Sequence, residues 1–294
     1  MLSLNTNASA LSTQASLSRT QSALSTSMSR LGTGFRVNSA MDDAAGLQIA
    51  TRLKAQTSGM AVAMKNTQNG ISMMQTAEGA LDEVSNILTR MKDLATEAYT
   101  VSTTTADKTA MQSEYDALGK ELANIVKNTA FGGTKLLSDG TGVTGAGGLL
   151  STAGGVTFQI GATSGETMTV DLATNLTSLA TALSTAAHTY ATPGTAGTEM
   201  SATDNTMLTT LAGALDKVGA LRADLGAASN RLDHVFNNLQ NMSTTAKAAT
   251  GRIMDVDYAT ETSNMTTKQM LMQASTSMLK QANSMSGMVM SLLQ

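Results

Sequence analysis

Apolar residues recur every seven positions over most of this chain. From Leu53 the series runs through Met60, Thr67, Met74, Leu81, Leu88 and Ala95, with Ala77, Val84, Met91 and Ala98 on the same face. A later segment is more regular still. Leu211, Val218, Leu225, Leu232, Leu239 and Ala246 are each followed three residues on by Ala214, Leu221, Ala228, Val235, Met242 and Ala249. Six sustained heptads predict two long helices packed as coiled coils, each roughly 60–75 Å long at 1.5 Å per residue. A third helix is predicted over Asp107–Lys127 through Met111, Tyr115, Leu118, Leu122 and Ile125, after a Thr-rich turn at Val101–Ala106.

Period-two alternation appears in one place. Val156, Phe158 and Ile160, then Met168, Val170 and Leu172, flank the turn residues Gly161–Gly165, which predicts a β-hairpin over about 156–172. The Gly/Thr/Ser tracts around it predict exposed, variable surface loops at 138–155 and 188–203, with a turn at Pro193–Gly194. Leu176–Ala187 is counted with the helical bundle.

Both ends carry weaker heptads. At the back, Leu271, Met278, Met285 and Leu292 are seven apart, with Ser275, Ala282 and Val289 four places later. Met272, Met288 and Met290 fall off that face, so this helix is apolar over much of its circumference and is expected to be buried on several sides. At the front, Leu17, Leu24 and Leu31 recur with Met28, preceded by Leu4 and Leu11 in a shifted register. No acid precedes Asp42 and none follows Glu261. Two charge-poor ends of similar size suggest one layer formed by 1–41 with 251–294. A bundle of 42–187 with 204–250 would carry the hairpin. Alone in water the ends should be disordered or marginal, because their apolar faces lack a partner. The fold class is therefore mainly α: long antiparallel coiled-coil helices from both termini, one hairpin and a reduced outer region.

Composition narrows the function. The 294 residues include no Cys, no Trp and one Pro, with 14% charged and 3% aromatic. No disulfide framework or thiolate zinc site can exist without Cys. A net charge of −3 gives no basic field to recruit nucleic acid. The longest apolar runs, such as Met60–Met64, are far too short for membrane insertion. Met1–Leu17 is interrupted by polar residues, so no secretory signal peptide is expected.

The search for catalytic chemistry returns little. His188 and His234 are far apart and read as solvated residues, since a metal site needs three or four gathered ligands. Leu31-Gly32-Thr33-Gly34-Phe35 follows no strand and lacks the third Gly of a dinucleotide loop. Asp42-Asp43 reads as a helix start, where acids answer free N–H groups. The methionines sit at heptad positions and read as packing or interface residues. No enzyme activity and no cofactor are expected.

Particular motifs carry a family resemblance. Arg36-Val37-Asn38-Ser39-Ala40-Met41-Asp42-Asp43-Ala44-Ala45-Gly46-Leu47 resembles the N-terminal signature of bacterial flagellins. Arg252-Ile253-Met254-Asp255-Val256-Asp257-Tyr258-Ala259-Thr260-Glu261 is similar to their C-terminal one, as are Gln273–Asn283, the closing Leu292-Leu293-Gln294 and the hairpin. The similarity covers about 1–137, 156–172 and 204–294. Departures are Met41, where lysine is common, and Met in place of many Leu, Val or Gln.

The resemblance implies a structural subunit that polymerises with other copies of itself into a helical homopolymer, the flagellar filament that serves motility. It implies export in unfolded form by the flagellar type III route to an extracellular position. Export chaperone, filament cap and hook–filament junction protein would be partners. The polymerisation interface would include Leu17, Leu24, Leu31, Leu271, Met278, Met285 and Leu292, and a layer junction would bring Asp42, Asp43 and Arg252 together. In relatives recognised by the host receptor TLR5, the matching contact would use Arg90 and Leu94, facing Glu114 on the returning helix. Arg90 and Leu94 share a face beside the Leu81/Leu88/Ala95 series, so both are expected to be exposed. The alternatives are a hook–filament junction protein of the same superfamily and a non-polymerising coiled-coil signalling or adaptor protein.

Overall fold

The computed structural model describes residues 7–138, 147–192, 195–201 and 205–292, with backbone alone at 201 and 285–292. The chain forms two compact units, Met1–Thr57 with Thr244–Gln294, and Ser58–Ser243. Two helices, α2 (Ala44–Ala98) and α6 (Thr206–Met254), contribute to both.

Within 58–243 the core follows the heptads. On α2 the buried positions step 60, 63, 67, 70, 74, 77, 81, 84, 88, 91, 95 and 98, alternating three and four residues as a coiled-coil stripe requires. Thr67 is tolerated there because its hydroxyl donates to the Ala63 carbonyl at 2.8 Å. On α6, Leu211, Val218, Leu225, Leu232 and Leu239 are all buried. The two helices run antiparallel: Met60 clusters with Leu239, whereas further along α2 Asp82 and Glu78 meet the earlier Arg222 at 2.9 Å and 3.8 Å. One companion position differs from expectation. Met242 is exposed and Ser243 is buried instead, because the stripe changes from a three-residue to a four-residue step after Leu239.

The helix α3 (Thr105–Asn128) starts at a capping box, with the Asp107 N–H on Thr104 Oγ1 and the Asp107 carboxylate on the Thr104 N–H. A short hairpin follows that the sequence reading did not include. Strands β1 (Ala130–Phe131) and β2 (Thr134–Lys135) pair across Gly132–Gly133, whose φ values of 58° and 86° suit only glycine. The expected hairpin is present as β3 (Val156–Gln159) and β4 (Thr167–Val170), with Phe158 opposite Met168. Glycines let it lie close against α2. A Cβ at Gly70 would stand 3.0 Å from the Phe158 ring, and one at Gly59 would stand 2.7 Å from Ala162 Cβ.

The expected surface loops at 138–155 and 188–203 need correction. Leu150 lies in a 3-10 turn, Leu149–Ser151, and is buried. After α4 (Ala173–Ala186), the short helix α5 (His188–Ala191) buries Thr189 and Tyr190, and the turn Glu199–Ser201 buries Met200. A polar clasp on α3 draws this segment in. The Gln112 amide donates to Asp116 at 2.8 Å and to Glu199 at 2.7 Å, and its oxygen accepts the Met200 N–H at 2.7 Å. Glu199 also accepts the His188 N–H at 2.6 Å, and Asp116 the Gly197 N–H at 3.1 Å. These bonds satisfy polar groups that burial would otherwise leave unpaired. Residues 139–146 and the Pro193–Gly194 turn lie outside the described residues.

The other unit pairs α1 (Ala8–Thr33) with α7 (Tyr258–Leu292) in antiparallel fashion. Asn7 caps α1 through the Ala10 N–H at 3.0 Å, and its amide reaches the Ala282 carbonyl at 2.9 Å. Both ends are thus helical and are each other's partner. Their burial is thin. Among the described residues of this unit only Leu24, Val37, Ala50, Ala246 and Val256 are buried hydrophobics.

Candidate functional site

The paired termini are the candidate site, and their geometry starts from a narrow seam. On α1 the inward positions are Ala10, Thr13, Leu17, Thr20, Leu24, Ser27 and Leu31, of which Leu24 and Ser27 are buried. Leu17, Leu24 and Leu31 therefore face α7 of the same chain. On α7 the inward positions are Glu261, Met265, Lys268, Met272, Ser275, Leu279 and Ala282. Lys268 carries the only cation of this seam run. Its ammonium donates to Ser27 Oγ at 2.8 Å and to the Ala23 carbonyl at 3.3 Å. A polar peg at one heptad position fixes register, because sliding by a turn would strand it.

The predicted back-end series has the right period and lies one residue off this seam. Ser275 and Ala282 face α1, and the large-residue places between them are filled by Met272 and Leu279 rather than by Leu271 and Met278. Leu271 is 52% exposed and Met278 63% exposed. They form an apolar stripe along the flank of the seam, with Met270 beside it. The side chains of Met285 and Leu292 lie outside the described residues.

The connectors on either side of this pair are held by a short backbone bridge. The Arg36 N–H donates to the Met254 carbonyl at 2.6 Å and the Val256 N–H to the Gly34 carbonyl at 3.0 Å, making Phe35 and Asp255 an isolated antiparallel bridge. Gly34 ends α1 at φ 77°, where a Cβ would meet the Tyr258 hydroxyl at 3.0 Å. Arg36 adds a bond from Nη2 to the Ile253 carbonyl at 2.8 Å.

The three residues expected at a layer junction take different roles. Asp42 accepts the N–H groups of Ser39 at 2.9 Å and Asn38 at 3.1 Å, and its cation is Arg30 at 3.6 Å. Those contacts, the Ser39 N–H first, hold its carboxyl below the ordinary 3.8. Asp43 starts α2 by accepting the Gly46 N–H at 2.8 Å. Arg252 stands in the last turn of α6, where a cation answers free carbonyls. The sequence reading missed Arg30, Arg36 and Lys268 as partners. For Lys268 a signal existed, since it is seven residues before Ser275 and fourteen before Ala282.

In the other unit Arg90 donates to Glu114 through Nη2 at 2.7 Å and Nε at 3.0 Å, both groups being about half exposed. That bond holds the Arg90 guanidinium above its ordinary value. Leu94 is a correction. It is 2% exposed and belongs to the core, because the buried face of α2 widens here to take in positions 87 and 94 beside the main stripe. His188 and His234 are exposed. Among the described residues no three His, Asp or Glu side chains gather as metal ligands, and no helix is long and apolar enough to cross a membrane.

The family models and the sequence relatives agree on one family. Residues 4–141 match the model of the bacterial flagellin N-terminal helical region, and residues 208–293 that of the C-terminal helical region. Polar flagellin F of Vibrio parahaemolyticus is 33% identical with 99% of each chain covered. That alignment runs over 386 residues against 294 here, the excess being residues this chain lacks. A flagellin of Halalkalibacterium halodurans is 38% identical over 89% of each chain. Among solved structures, Bacillus cereus flagellin is 29% identical with a TM-score of 0.46, over 60% of this chain and 88% of its own. A putative flagellar hook-associated protein from Vibrio parahaemolyticus shares the fold at 18% identity and a TM-score of 0.51, over 73% of this chain and 100% of its own.

Proposed function

The chain belongs to the bacterial flagellin family and is a structural subunit of the flagellar filament, an extracellular appendage; from that premise we propose that α1 and α7 are its polymerising elements and that it assembles rather than catalyses. The observation that carries this reading is the stripe of Leu271 and Met278, apolar and more than half exposed beside a seam that already has its intrachain partner. Neighbouring subunits bury that stripe, at about 25 cal/mol per Å² of apolar surface removed from water. Met285 and Leu292 continue it by spacing. Leu17, Leu24 and Leu31 act indirectly, by holding α7 in register. Contacts that run head to tail do not close, and so extend as a helical filament. Asp42, Asp43 and Arg252 steady the helix ends through which the paired termini continue into α2 and α6.

The absence of Cys supports passage in unfolded form through a flagellum-specific export channel, with an export chaperone before it and the filament cap beyond it. The hook–filament junction protein would meet the first subunits. Host recognition by TLR5 would rest on Arg90 and Glu114, without Leu94.

Seeded polymerisation tests the assembly reading. The purified chain, added to short filament fragments, is expected to extend them under the electron microscope. Deleting Leu271–Gln294 is expected to abolish extension while the unit 58–243 still melts cooperatively. Normal filaments from the truncated chain would refute the role of α7, and a full chain that stays monomeric on seeds would refute the assembly reading itself.

A further inference from the structure

The methionines divide between the two units by exposure. Among the described residues the buried ones, Met60, Met73, Met74, Met91, Met168 and Met200, all lie within 58–243. Four of the five exposed ones lie in the unit of the termini: Met41 at 97%, Met278 at 63%, Met270 at 58% and Met28 at 51%. Met242 is the fifth. Met278 belongs to the stripe on which assembly is proposed to depend, Met270 adjoins it, and Met28 lies on the outer side of α1 next to the buried Ser27.

We propose that these exposed thioethers are oxidation sites through which peroxide controls assembly: oxidised free subunits cannot be incorporated, whereas subunits already in a filament are shielded. The inference rests on the assembly reading above. In the reaction a peroxide oxygen is transferred to sulfur. An S–O bond forms, the O–O bond breaks, sulfur is oxidised by two electrons, and with hydrogen peroxide the reduced product is water. The transfer needs direct access to sulfur, which the free chain gives at Met28, Met41, Met270 and Met278 and denies at the core methionines. The product sulfoxide is polar and accepts hydrogen bonds. An apolar contact is thereby replaced by a group that resists burial without a donor. Met265 and Met272, half-buried in the seam, should react more slowly. Thiol-dependent methionine sulfoxide reductases reverse the change.

The test treats dispersed subunits and formed filaments with hydrogen peroxide, locates added oxygen by peptide mass spectrometry, and measures seeded extension. In dispersed subunits, oxidation at the four exposed sites is expected to be on the order of tenfold faster than at Met60, Met74 and Met91, and extension is expected to fall by a similar factor. In filaments the same sites should be protected. The variant M28L/M41L/M270L, which leaves the stripe residue Met278 in place, should lose less extension to peroxide than the natural chain. Enzymatic reduction of the oxidised natural chain should restore extension, a readout that does not depend on the variant. Normal extension by chains oxidised at these sites, or an equal loss in the leucine variant, would overturn the inference while leaving assembly intact. Untreated natural chains that never extend seeds would overturn the assembly reading and this inference with it.

Discussion

Replacing Leu271 and Met278 together by serine should weaken assembly without weakening the folded chain. Full burial of a Leu or Met side chain contributes about 1.5–3 kcal/mol relative to exposure. Both are a little more than half exposed in the single chain, so the part still open to burial by a neighbour is worth about 1 kcal/mol or slightly more each. The pair then contributes roughly 2–3 kcal/mol per subunit, and with each ~1.4 kcal/mol equal to tenfold, the critical concentration should rise about 30–140-fold. Sedimentation of filaments at equilibrium measures it directly, as the protein left in solution. Circular dichroism of the dispersed chains supplies the control, because exposed substitutions change stability by no more than about 0.5 kcal/mol. Serine at Met272 and Leu279, in the seam, should give the opposite pattern: terminal helicity is lost in the dispersed chain itself. An unchanged critical concentration for L271S/M278S would refute the flank assignment. So would a loss of terminal helicity equal to that of the seam variant.

Three further outcomes follow from other parts of the chain. Leu88→Ala removes a side chain with no exposure from the core of 58–243 and should cost about 2–5 kcal/mol in denaturant unfolding; under about 1 kcal/mol would mean that this core is not close-packed. Asp42 has a lowered folded pKa, chiefly through the Ser39 N–H, so its contribution is present above the ordinary 3.8 and is lost as pH falls through the lower folded value. Hydrogen exchange at the Ser39 amide should accelerate through that acid window, and an Asp42→Asn chain with the same acid profile would contradict the assignment. Gly59→Ala places a Cβ 2.7 Å from Ala162 Cβ and 3.0 Å from its backbone, so it should displace the 161–165 turn, seen as shifted amide resonances there; an unmoved turn would show that α2 yields instead.

The long helices were legible because every sevenfold position of α2 from Met60 to Ala95, Thr67 included, is buried. A continuous stripe of that length has one reading. The width of the stripe is a different quantity and depends on what packs from the sides. Leu94 is three residues after Met91 and is covered where α2 lies in the wide core formed with α3, α4 and α5, which spacing along α2 alone does not reveal. Tyr190 and Met200 are buried by a clasp whose members, Gln112, Asp116 and Glu199, are distant in sequence and carry no periodic mark. The β1–β2 hairpin had a signal in plain view, Gly132-Gly133, but strands of two residues are too short to show alternation.

The period of the candidate site was legible in the sequence, but which of its two apolar stripes serves the chain's own seam was not. On α7 the series Met265/Met272/Leu279 and the series Leu271/Met278 are adjacent, both apolar and both seven apart. Hydrophobicity does not rank them. The choice is made by the partner: α1 offers Thr13, Thr20 and Ser27 between its leucines, and Lys268 must reach Ser27 and Ala23. That contact rotates Met272 inward and leaves Leu271 outside. A helix that serves only its own chain needs one apolar stripe, with charge opposite it to keep the rest in water. This helix has a second stripe, and from Thr262 to its end no acid and only Lys268 and Lys280 for charge, one of them in the seam. On the assembly reading proposed above, the surplus stripe is the part that answers to another molecule, and it becomes visible only once the stripe used within the chain has been subtracted.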